Sequence, residues 1–230
     1  MACQPKLFEE FTYGCYVWSV KQILKDHDLT CFASTLTNKY LILRHDVDYD
    51  IDAALRLAAI EHKHDIHATY FLLIDSDMYN LMNSGIVSTL WHSGHRVGLH
   101  YDLSKNSDVY RCAELLSVMG GTQVTDIACH NPSLTEKDKF RGGKWLNSAY
   151  ADKFIKDTVY ISDSCGYWRK GTWDIIPDKI QLNTHPVNWS DTVKDRYVKQ
   201  EEIRQKKLKE VNDYMDKCVQ TWHDHDKGAL

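Results

Sequence analysis

Tyr40-Leu41-Ile42-Leu43-Arg44-His45-Asp46-Val47-Asp48 is the stretch that decides the fold. Its first four residues favour the interior of a sheet, and two carboxylates separated by one valine follow. Because side chains alternate along a strand, we expect Asp46 and Asp48 to leave on the same side. Such a pair indicates a metal, a basic neighbour or a shared proton, since close carboxylates raise each other's pKa. The alternative is a pair of solvated loop acids that cap the next helix.

Length and composition indicate one soluble globular protein with a large core. The chain has 230 residues, of which 43% are hydrophobic and 26% charged, which is ordinary for this class. Its 32 acids exceed its 28 Lys and Arg residues and give a net charge of -4. We therefore expect no nucleic-acid partner. No apolar stretch reaches membrane-spanning length, so we also expect no membrane insertion.

The cysteines and the first residues predict a cytoplasmic location. Seven cysteines are scattered along the chain without a CxxC pair, which is typical of free thiols in a reducing compartment. The first eleven residues lack the apolar core of a secretory signal.

Strand-like and helix-like segments alternate after residue 39. Apolar or β-branched runs at 40–43, 66–73, 95–99 and 124–129 are separated by helical patterns, and further runs lie at 159–162 and 180–184. This order predicts an α/β fold with a parallel sheet or barrel. We divide the chain into a helical lead-in packed on the barrel (1–39), a catalytic barrel (40–190) and a C-terminal helix (191–230).

The C-terminal segment carries apolar residues at helical spacing. They are Leu208, Val211, Met215, Val219 and Trp222. We expect a final helix packed through this stripe, and the alternative is a homodimer formed through the C-terminal helix.

Polar clusters follow five of the strand-like runs. In parallel α/β folds the residues just past the strands gather at one face, where sites form. The clusters are His45-Asp46-Val47-Asp48, His100-Tyr101-Asp102, His130-Asn131-Pro132, Asp163-Ser164 and His185-Pro186. A carboxylate and imidazoles from separate strands suit a catalytic Zn²⁺ or a similar divalent ion, with Asp48 and His100 as the first two ligands. Asp46 would then take a proton from water, and His185 would protonate a leaving group.

The stretches Leu43–Leu73 and Gly94–His100 resemble the polysaccharide deacetylases of carbohydrate esterase family four, the NodB-homology domain, over roughly residues 40–190. The resemblance implies a distorted (β/α) barrel that hydrolyses N- or O-acetyl groups of sugars with a divalent metal. It implies that Asp46 is the base and Asp48 a metal ligand. It also implies that His100 is the first histidine of the second motif and His185 the general acid of the last.

Two motifs depart from the family pattern. The second motif has Ser104 where another metal-binding histidine is usual, and the third has His130-Asn131-Pro132 where Arg precedes Pro. His130 could supply the missing imidazole and restore an Asp-His-His site. Asp102 or water is the competing third ligand.

The segment Asp163–Arg169 resembles the fourth motif. By this resemblance Asp163 orients the network around the base, and Trp168 walls the substrate pocket, with core packing as the alternative for the tryptophan. Arg169 is predicted to pair with Asp46 and keep it ionised. We expect Tyr101, Asp163 and Trp168 to contact the substrate.

Together these observations predict a metal-dependent deacetylase that removes an acyl group, N-acetyl in the first instance, from an amino sugar or a glycan precursor. Zn²⁺ is the expected metal, although other divalent ions fit. The alternatives are a hydrolase of a non-sugar C–N bond on the same fold and a non-catalytic sugar-binding relative.

Overall fold

Strand β2 (Tyr40–Val47) runs through the middle of the sheet and is buried at every position. It pairs in parallel with β3 (Thr69–Leu73) on one side and with β9 (Lys179–Thr184) on the other. Residues alternate between its two faces, so Arg44 and Asp46 share one face while His45 and Val47 share the other. The stretch that decides the fold therefore also delivers the first acids of the site.

The computed structural model describes residues 6–82, 84–105, 108–131, 142–143, 145–169 and 171–227. The chain forms two compact units, Met1–Val193 and Lys194–Leu230. The helices are α1 (Tyr13–Ile23), α2 (Ile51–Lys63), α3 (Ile86–His92), α4 (Val109–Gly120), α5 (Asp152–Ile155) and α6 (Arg196–Asp226). The strands besides β2 are β1 (Asp28–Thr30), β3 (Thr69–Leu73), β4 (Arg96–Tyr101), β5 (Asp126–Cys129), β6 (Gly142–Gly143), β7 (Leu146–Ser148), β8 (Val159–Ser162) and β9 (Lys179–Thr184).

The sheet of the first unit has the order β6-β7-β5-β4-β3-β2-β9-β8, with β1 paired to the beginning of β2. All of these pairs are parallel except β6 with β7. Helices α2, α3 and α4 connect β2, β3, β4 and β5 in turn, as the alternating sequence pattern predicted. The predicted fold class, a distorted (β/α) barrel, is confirmed.

Local sequence sets the helix that follows β2. The side chain of Asp50 accepts a hydrogen bond from the backbone N–H of Asp52 at 2.9 Å and caps α2. The buried residues Ala54, Leu57, Ala58 and Glu61 recur at helical spacing and face the sheet. Helix α1 starts at Tyr13, where the side chain of Thr12 caps it by accepting a hydrogen bond from the backbone N–H of Cys15.

Gly98 in β4 allows a close contact beneath the site. A Cβ atom there would lie 2.5 Å from the ring of Phe71 and 3.0 Å from the backbone oxygen of Asp126. The Phe71 ring in turn lies 5.1 Å from the guanidinium carbon of Arg44. A larger residue at 98 would therefore displace the ring on which Arg44 rests.

The other face of β2 carries a second buried polar cluster. Glu61 of α2 bonds His45 Nε2 at 2.9 Å, and it accepts hydrogen bonds from the hydroxyls of Tyr16 and Tyr70. Burial raises the pKa of Glu61, but the neighbouring His45 more than offsets this and holds that pKa below its usual range. His45 Nδ1 lies 2.5 Å from the hydroxyl of Thr184 in β9. This cluster fixes α2, β2 and β9 to one another at the strand ends from which Asp46 and His185 project.

Among the helices that the structure describes, none has the length and apolar character needed to cross a membrane. The cysteines within the described ranges are all free thiols, as the sequence predicted.

Candidate active site

Three side chains from different strands converge at the carboxyl edge of the sheet. Asp48 follows β2, His100 lies in β4 and His130 follows β5. One possible ligand atom of each lies within 4.8 Å of those of the other two. Asp48 Oδ1 is 3.3 Å from His100 Nε2 and 3.4 Å from His130 Nδ1, and these two nitrogens are 3.1 Å apart. One carboxylate and two imidazoles form a donor set that Zn²⁺ and similar divalent ions accept.

The hydrogen bonding of Asp48 fits a metal ligand. Its Oδ1 atom is buried and makes no well-directed hydrogen bond, although both imidazoles lie close to it. A buried carboxylate oxygen without a partner is costly, and a cation would satisfy it. Burial alone raises the pKa of Asp48, but the N–H groups and positive charge of the neighbouring imidazoles, His100 and His130 before His185, outweigh burial and hold the pKa far below its usual range. A bound cation would take over this role from the protons of His100 and His130. Asp48 is therefore ionised, as a metal ligand must be.

Outer contacts orient both imidazoles. His100 Nδ1 lies 2.9 Å from the backbone oxygen of Ala128, so this nitrogen carries the proton and Nε2 is left to face Asp48. His130 Nε2 lies 2.8 Å from the side-chain Nδ2 of Asn131, which can donate a hydrogen bond to it. A half-turn of this amide would bring its oxygen to His130 Nε2, which would place the ring proton there and leave Nδ1 to bind a metal. Both rings can thus offer an unprotonated nitrogen to the same point.

Ser104 and Asp102 are hydrogen-bonded to each other and lie outside the cluster of Asp48, His100 and His130. Asp102 Oδ1 accepts hydrogen bonds from the backbone N–H and the hydroxyl of Ser104, at 2.9 and 2.7 Å. Within the described residues, the cluster of possible ligands contains His130 and not Asp102. The structure thus brings His130, and neither Ser104 nor Asp102, to Asp48 and His100.

Replacing His130 by Ala should lower the zinc affinity of the purified protein by at least about 100-fold. Loss of a residue that only hydrogen-bonds a metal ligand typically lowers metal affinity 10–100-fold, and loss of a ligand itself should lower it further. Titration against a competing chelator measures this change. His92→Ala, at an exposed histidine of α3, is the matched control and should bind zinc as the unaltered protein does. Unchanged zinc binding in the His130 variant would instead favour Asp102 or water as the third ligand.

Asp46 is held by a buried arginine from its own strand. Arg44 Nε lies 3.1 Å from Asp46 Oδ1 and Arg44 Nη2 lies 2.7 Å from Oδ2, a bidentate pair. Asn183 of β9 donates a further hydrogen bond to Oδ2 at 2.9 Å. Burial raises the pKa of Asp46, but Arg44 and then His100 more than offset this and hold the pKa below its usual range. The predicted base is therefore ionised at neutral pH.

The predicted pairing of Arg169 with Asp46 is wrong. Arg44, two residues before Asp46 on the same face of β2, already occupies that position. Arg169 is exposed and lines a cavity of about 360 Å³ together with Tyr160, Tyr167 and other residues. Its charge therefore faces this cavity and not the base.

His185, which directly follows β9, lies beside Asp48 of the donor cluster. Its Nδ1 is 2.6 Å from Asp163 Oδ1, and its Nε2 is 3.7 Å from Asp48 Oδ2. Burial lowers the pKa of His185, but Asp163, followed by Asp48 and Asp46, outweighs burial and raises the pKa to about 9. The imidazolium is thus the stable form at neutral pH, with one N–H directed toward the cluster.

Asp163 holds His185 and is not open to a substrate, contrary to the prediction. It is fully buried, accepts hydrogen bonds from the backbone N–H of His185 at 2.9 Å and from the indole of Trp189 at 3.1 Å, and so orients the acid rather than the base.

Two further predicted substrate contacts are also directed into the protein. Tyr101 is only 1% exposed, and neighbouring strand residues point to opposite faces, so it lies away from His100. Trp168 stacks on Phe11 with ring centroids 5.7 Å apart and packs within an aromatic cluster with Trp189. Core packing, the alternative considered for Trp168, describes its surroundings.

Arg44 and Asn183 are site residues that the sequence reading did not assign. Alternation along β2 would have placed Arg44 beside Asp46, and this signal was available. Asn183 lies opposite Arg44 in the pairing of β2 with β9, and no sequence pattern gives that register.

Comparison with known proteins gives matches only among solved structures. No protein-family model and no curated protein matches the chain. A family 4 carbohydrate esterase from Bacillus anthracis is 13% identical, with 83% of this chain and 86% of that chain covered and a TM-score of 0.41. The catalytic domain of a peptidoglycan N-acetylglucosamine deacetylase from Eubacterium rectale is 13% identical, with 77% and 87% covered and a TM-score of 0.45. A family 4 pseudoenzyme from Bacillus anthracis is 14% identical, with 80% and 67% covered and a TM-score of 0.43.

The resemblance to carbohydrate esterase family four therefore rests on the motifs of the sequence, and these solved structures are what the chain is similar to. Identities and TM-scores in this range do not identify an activity, and one of the three similar proteins is a pseudoenzyme. The activity has to follow from the residues of the site.

Proposed function

We propose that this chain is a metal-dependent hydrolase that removes an N-acetyl group from an amino sugar or a glycan precursor. One observation carries the proposal: an ionised Asp46 and a proton-bearing His185 flank the donor cluster of Asp48, His100 and His130. A base, an acid and a cation site at one edge of a sheet are what hydrolysis of an amide requires.

Asp48, His100 and His130 would hold the metal, and their oxygen and nitrogen atoms suit Zn²⁺. A bound divalent ion would lower the pKa of water at the site and polarise the acyl carbonyl.

The remaining side chains supply the proton transfers. Asp46 takes a proton from the attacking water, while Arg44 and Asn183 keep its carboxylate in place. His185 gives its Nε2 proton to the departing nitrogen, and Asp163 fixes the ring by its bond to Nδ1. Because the two groups have pKa values on opposite sides of neutrality, each is in the form that its role needs at pH 7.

The cavity beside β8 supports a sugar-sized substrate. It has a volume of about 360 Å³ and is lined by aromatic, hydroxyl and cationic side chains, among them Tyr160, Tyr167, Ser162 and Arg169. The hydroxyl of Tyr160 accepts a hydrogen bond at 3.0 Å from the same Asn183 amide that bonds Asp46. The cavity is thus two hydrogen bonds from the base.

Acetate release from a panel of N-acetylated sugars, with and without added Zn²⁺, tests the proposal. We expect zinc-stimulated release, and release lost in Asp48→Asn, which weakens the cation site. Faster turnover of simple amides that lack a sugar would favour a non-sugar C–N hydrolase. Sugar binding without zinc content and without acetate release would favour a non-catalytic relative.

The fall of kcat/KM at alkaline pH, the alkaline limb of the pH profile, should depend on Asp163. Since His185 must be protonated to act as acid, kcat/KM should fall as the pH rises through its pKa, which is about 9 before any effect of a bound cation. Asp163→Asn removes a carboxylate that stabilises the imidazolium, so this limb should move about 1–3 pH units lower. A pH profile of kcat/KM measures the change. Asp157→Asn, at an exposed acid, should leave the limb in place, and an unmoved limb in the Asp163 variant would remove His185 as the acid.

A further inference from the structure

Helix α6, which belongs to the second unit, exposes a row of apolar side chains. The helix has 31 residues, and Leu208, Val211, Met215, Val219 and Trp222 are 48%, 61%, 48%, 40% and 63% exposed. These residues follow three- and four-residue steps, so they form one stripe along the helix. Such a stripe of large apolar side chains marks an interaction surface.

The stripe is symmetrical about Met215. Arg204 lies one turn before Leu208, and Asp226 lies one turn after Trp222. From Arg204 to Asp226 the steps between stripe positions are four, three, four, four, three and four residues, the same from either end. A surface with this symmetry in spacing, and with opposite charges at its ends, is complementary to itself when one copy is reversed.

We propose that α6 pairs with α6 of a second copy of this chain in antiparallel orientation, with Met215 on the two-fold axis. Leu208 then faces Trp222 of the partner subunit, and Val211 faces Val219 of the partner subunit. Arg204 meets Asp226 of the partner subunit at both ends. The paired segment, residues 204–226, is about 34 Å long at 1.5 Å per residue.

The distribution of charge along α6 selects this orientation. Residues 196–209 contain six Lys and Arg against two Glu, whereas residues 210–226 contain five acids against one Lys. Antiparallel pairing brings the basic half of one helix to the acidic half of the other, and parallel pairing brings like charges together. The basic half lies toward the helix N-terminus, which is the positive end of the helix dipole, so its Lys and Arg residues destabilise an isolated helix. The acidic half of an antiparallel partner helix would offset this repulsion.

Ion pairs within the helix do not remove this preference. Arg204 lies 3.2 Å from Glu201, and Lys209 lies 2.6 Å from Asp213, and the side chains of both pairs are largely exposed. Exposed pairs of this kind contribute little and exchange readily. The same side chains therefore remain able to meet a partner helix.

Light scattering on the full chain at micromolar concentration tests the pairing. We expect a dimer, and we expect Met215→Lys, which places two like charges on the axis, to raise the dimer Kd at least about 100-fold. Met215 is exposed, so this variant should keep the fold, which circular dichroism checks. A monomer at every concentration would overturn the proposal and leave the stripe to another partner.

Charge exchange at Arg204 and Asp226 tests the orientation. Each single variant, Arg204→Glu or Asp226→Arg, places like charges at both ends of the antiparallel pair and should raise Kd about tenfold, and the double variant should restore it. Lys206→Glu makes the same charge change on the opposite face and is the matched control, with little effect expected. In a parallel pair each residue would face its own copy, so all of these variants would have a similar dimer Kd. That result would overturn the antiparallel assignment.

Discussion

The Asp46→Asn variant is expected to release acetate about 10³-fold more slowly than the unaltered chain, within the range usual for loss of a general base. The amide keeps the shape of the carboxylate but cannot take a proton from water. The carboxylate of Asp46 is buried, ionised and bonded to Arg44 and Asn183, so no nearby solvated acid replaces it. Initial rates of acetate release at saturating zinc measure the effect.

This substitution also leaves Arg44 buried without its carboxylate, which by itself destabilises the fold. The double variant Arg44→Met/Asp46→Asn separates the two effects, because removing both charged partners costs less stability than removing one. We expect the double variant to be more stable than either single variant and equally inactive. Recovery of activity in the double variant, or equal rates for Asp46→Asn and the unaltered protein, would exclude Asp46 as the base.

Arg44→Met is expected to lower the free energy of unfolding by about 3–5 kcal/mol at pH 7, the usual cost of breaking a buried ion pair from one side. The side chains of Arg44 and Asp46 are 0% and 5% exposed, so water does not compensate the remaining carboxylate. Arg44 also bonds Gln181 at 3.1 Å and lies 5.1 Å from the ring centre of Tyr150, so further contacts are lost. Chemical denaturation measures the change.

The destabilisation by Arg44→Met should depend on pH with a definite sign. In the unaltered protein the folded pKa of Asp46 is depressed, so its contribution is present above the unfolded pKa, about 3.9, and is lost as the pH falls through the folded value. Without Arg44 the buried carboxyl has a raised folded pKa, so its protonated form is favoured. The difference between the two proteins should therefore be largest near neutrality, shrink as the pH falls through the raised pKa of the variant, and level off below the depressed pKa of the unaltered protein.

Arg96→Met is the matched control for this experiment. Arg96 lies 2.9 Å from the buried Asp126 and is itself 34% exposed, so solvent can partly replace its charge. We expect a smaller loss of stability than for Arg44→Met. An equal loss of stability in the two variants would show that the burial of the Arg44–Asp46 pair does not explain its contribution to stability.

Local patterns along single strands correctly predicted which polar residues meet at the edge of the sheet. The runs at 40–43, 95–99 and 124–129 lie in β2, β4 and β5 or beside them, and the polar residues that follow them meet at one edge. This works because parallel strands joined by helices bring their carboxyl ends to the same edge, whatever the details of the side chains.

The predictions were wrong where they concerned contacts between residues distant in the chain. Arg169 was matched with Asp46 because a motif position lacked an arginine, but motif order does not give the distance between a loop and a strand. Arg44 was closer along the chain and on the same face of β2, and it already bonds both carboxylate oxygens of Asp46. Trp168 likewise packs with other rings, because a large apolar surface gains more from burial than from exposure.

By itself, the sequence determined the alternation of strands and helices, the acids at Asp46 and Asp48, and the order in which imidazoles reach the sheet edge. These follow from local periodicity, which each segment carries without reference to the rest. Only the tertiary structure decided that His130 joins Asp48 and His100, that Arg44 neutralises Asp46, and that Asp163 holds His185. Those contacts depend on strand register and on which charge is buried with which, and both are set by packing between segments distant in the chain.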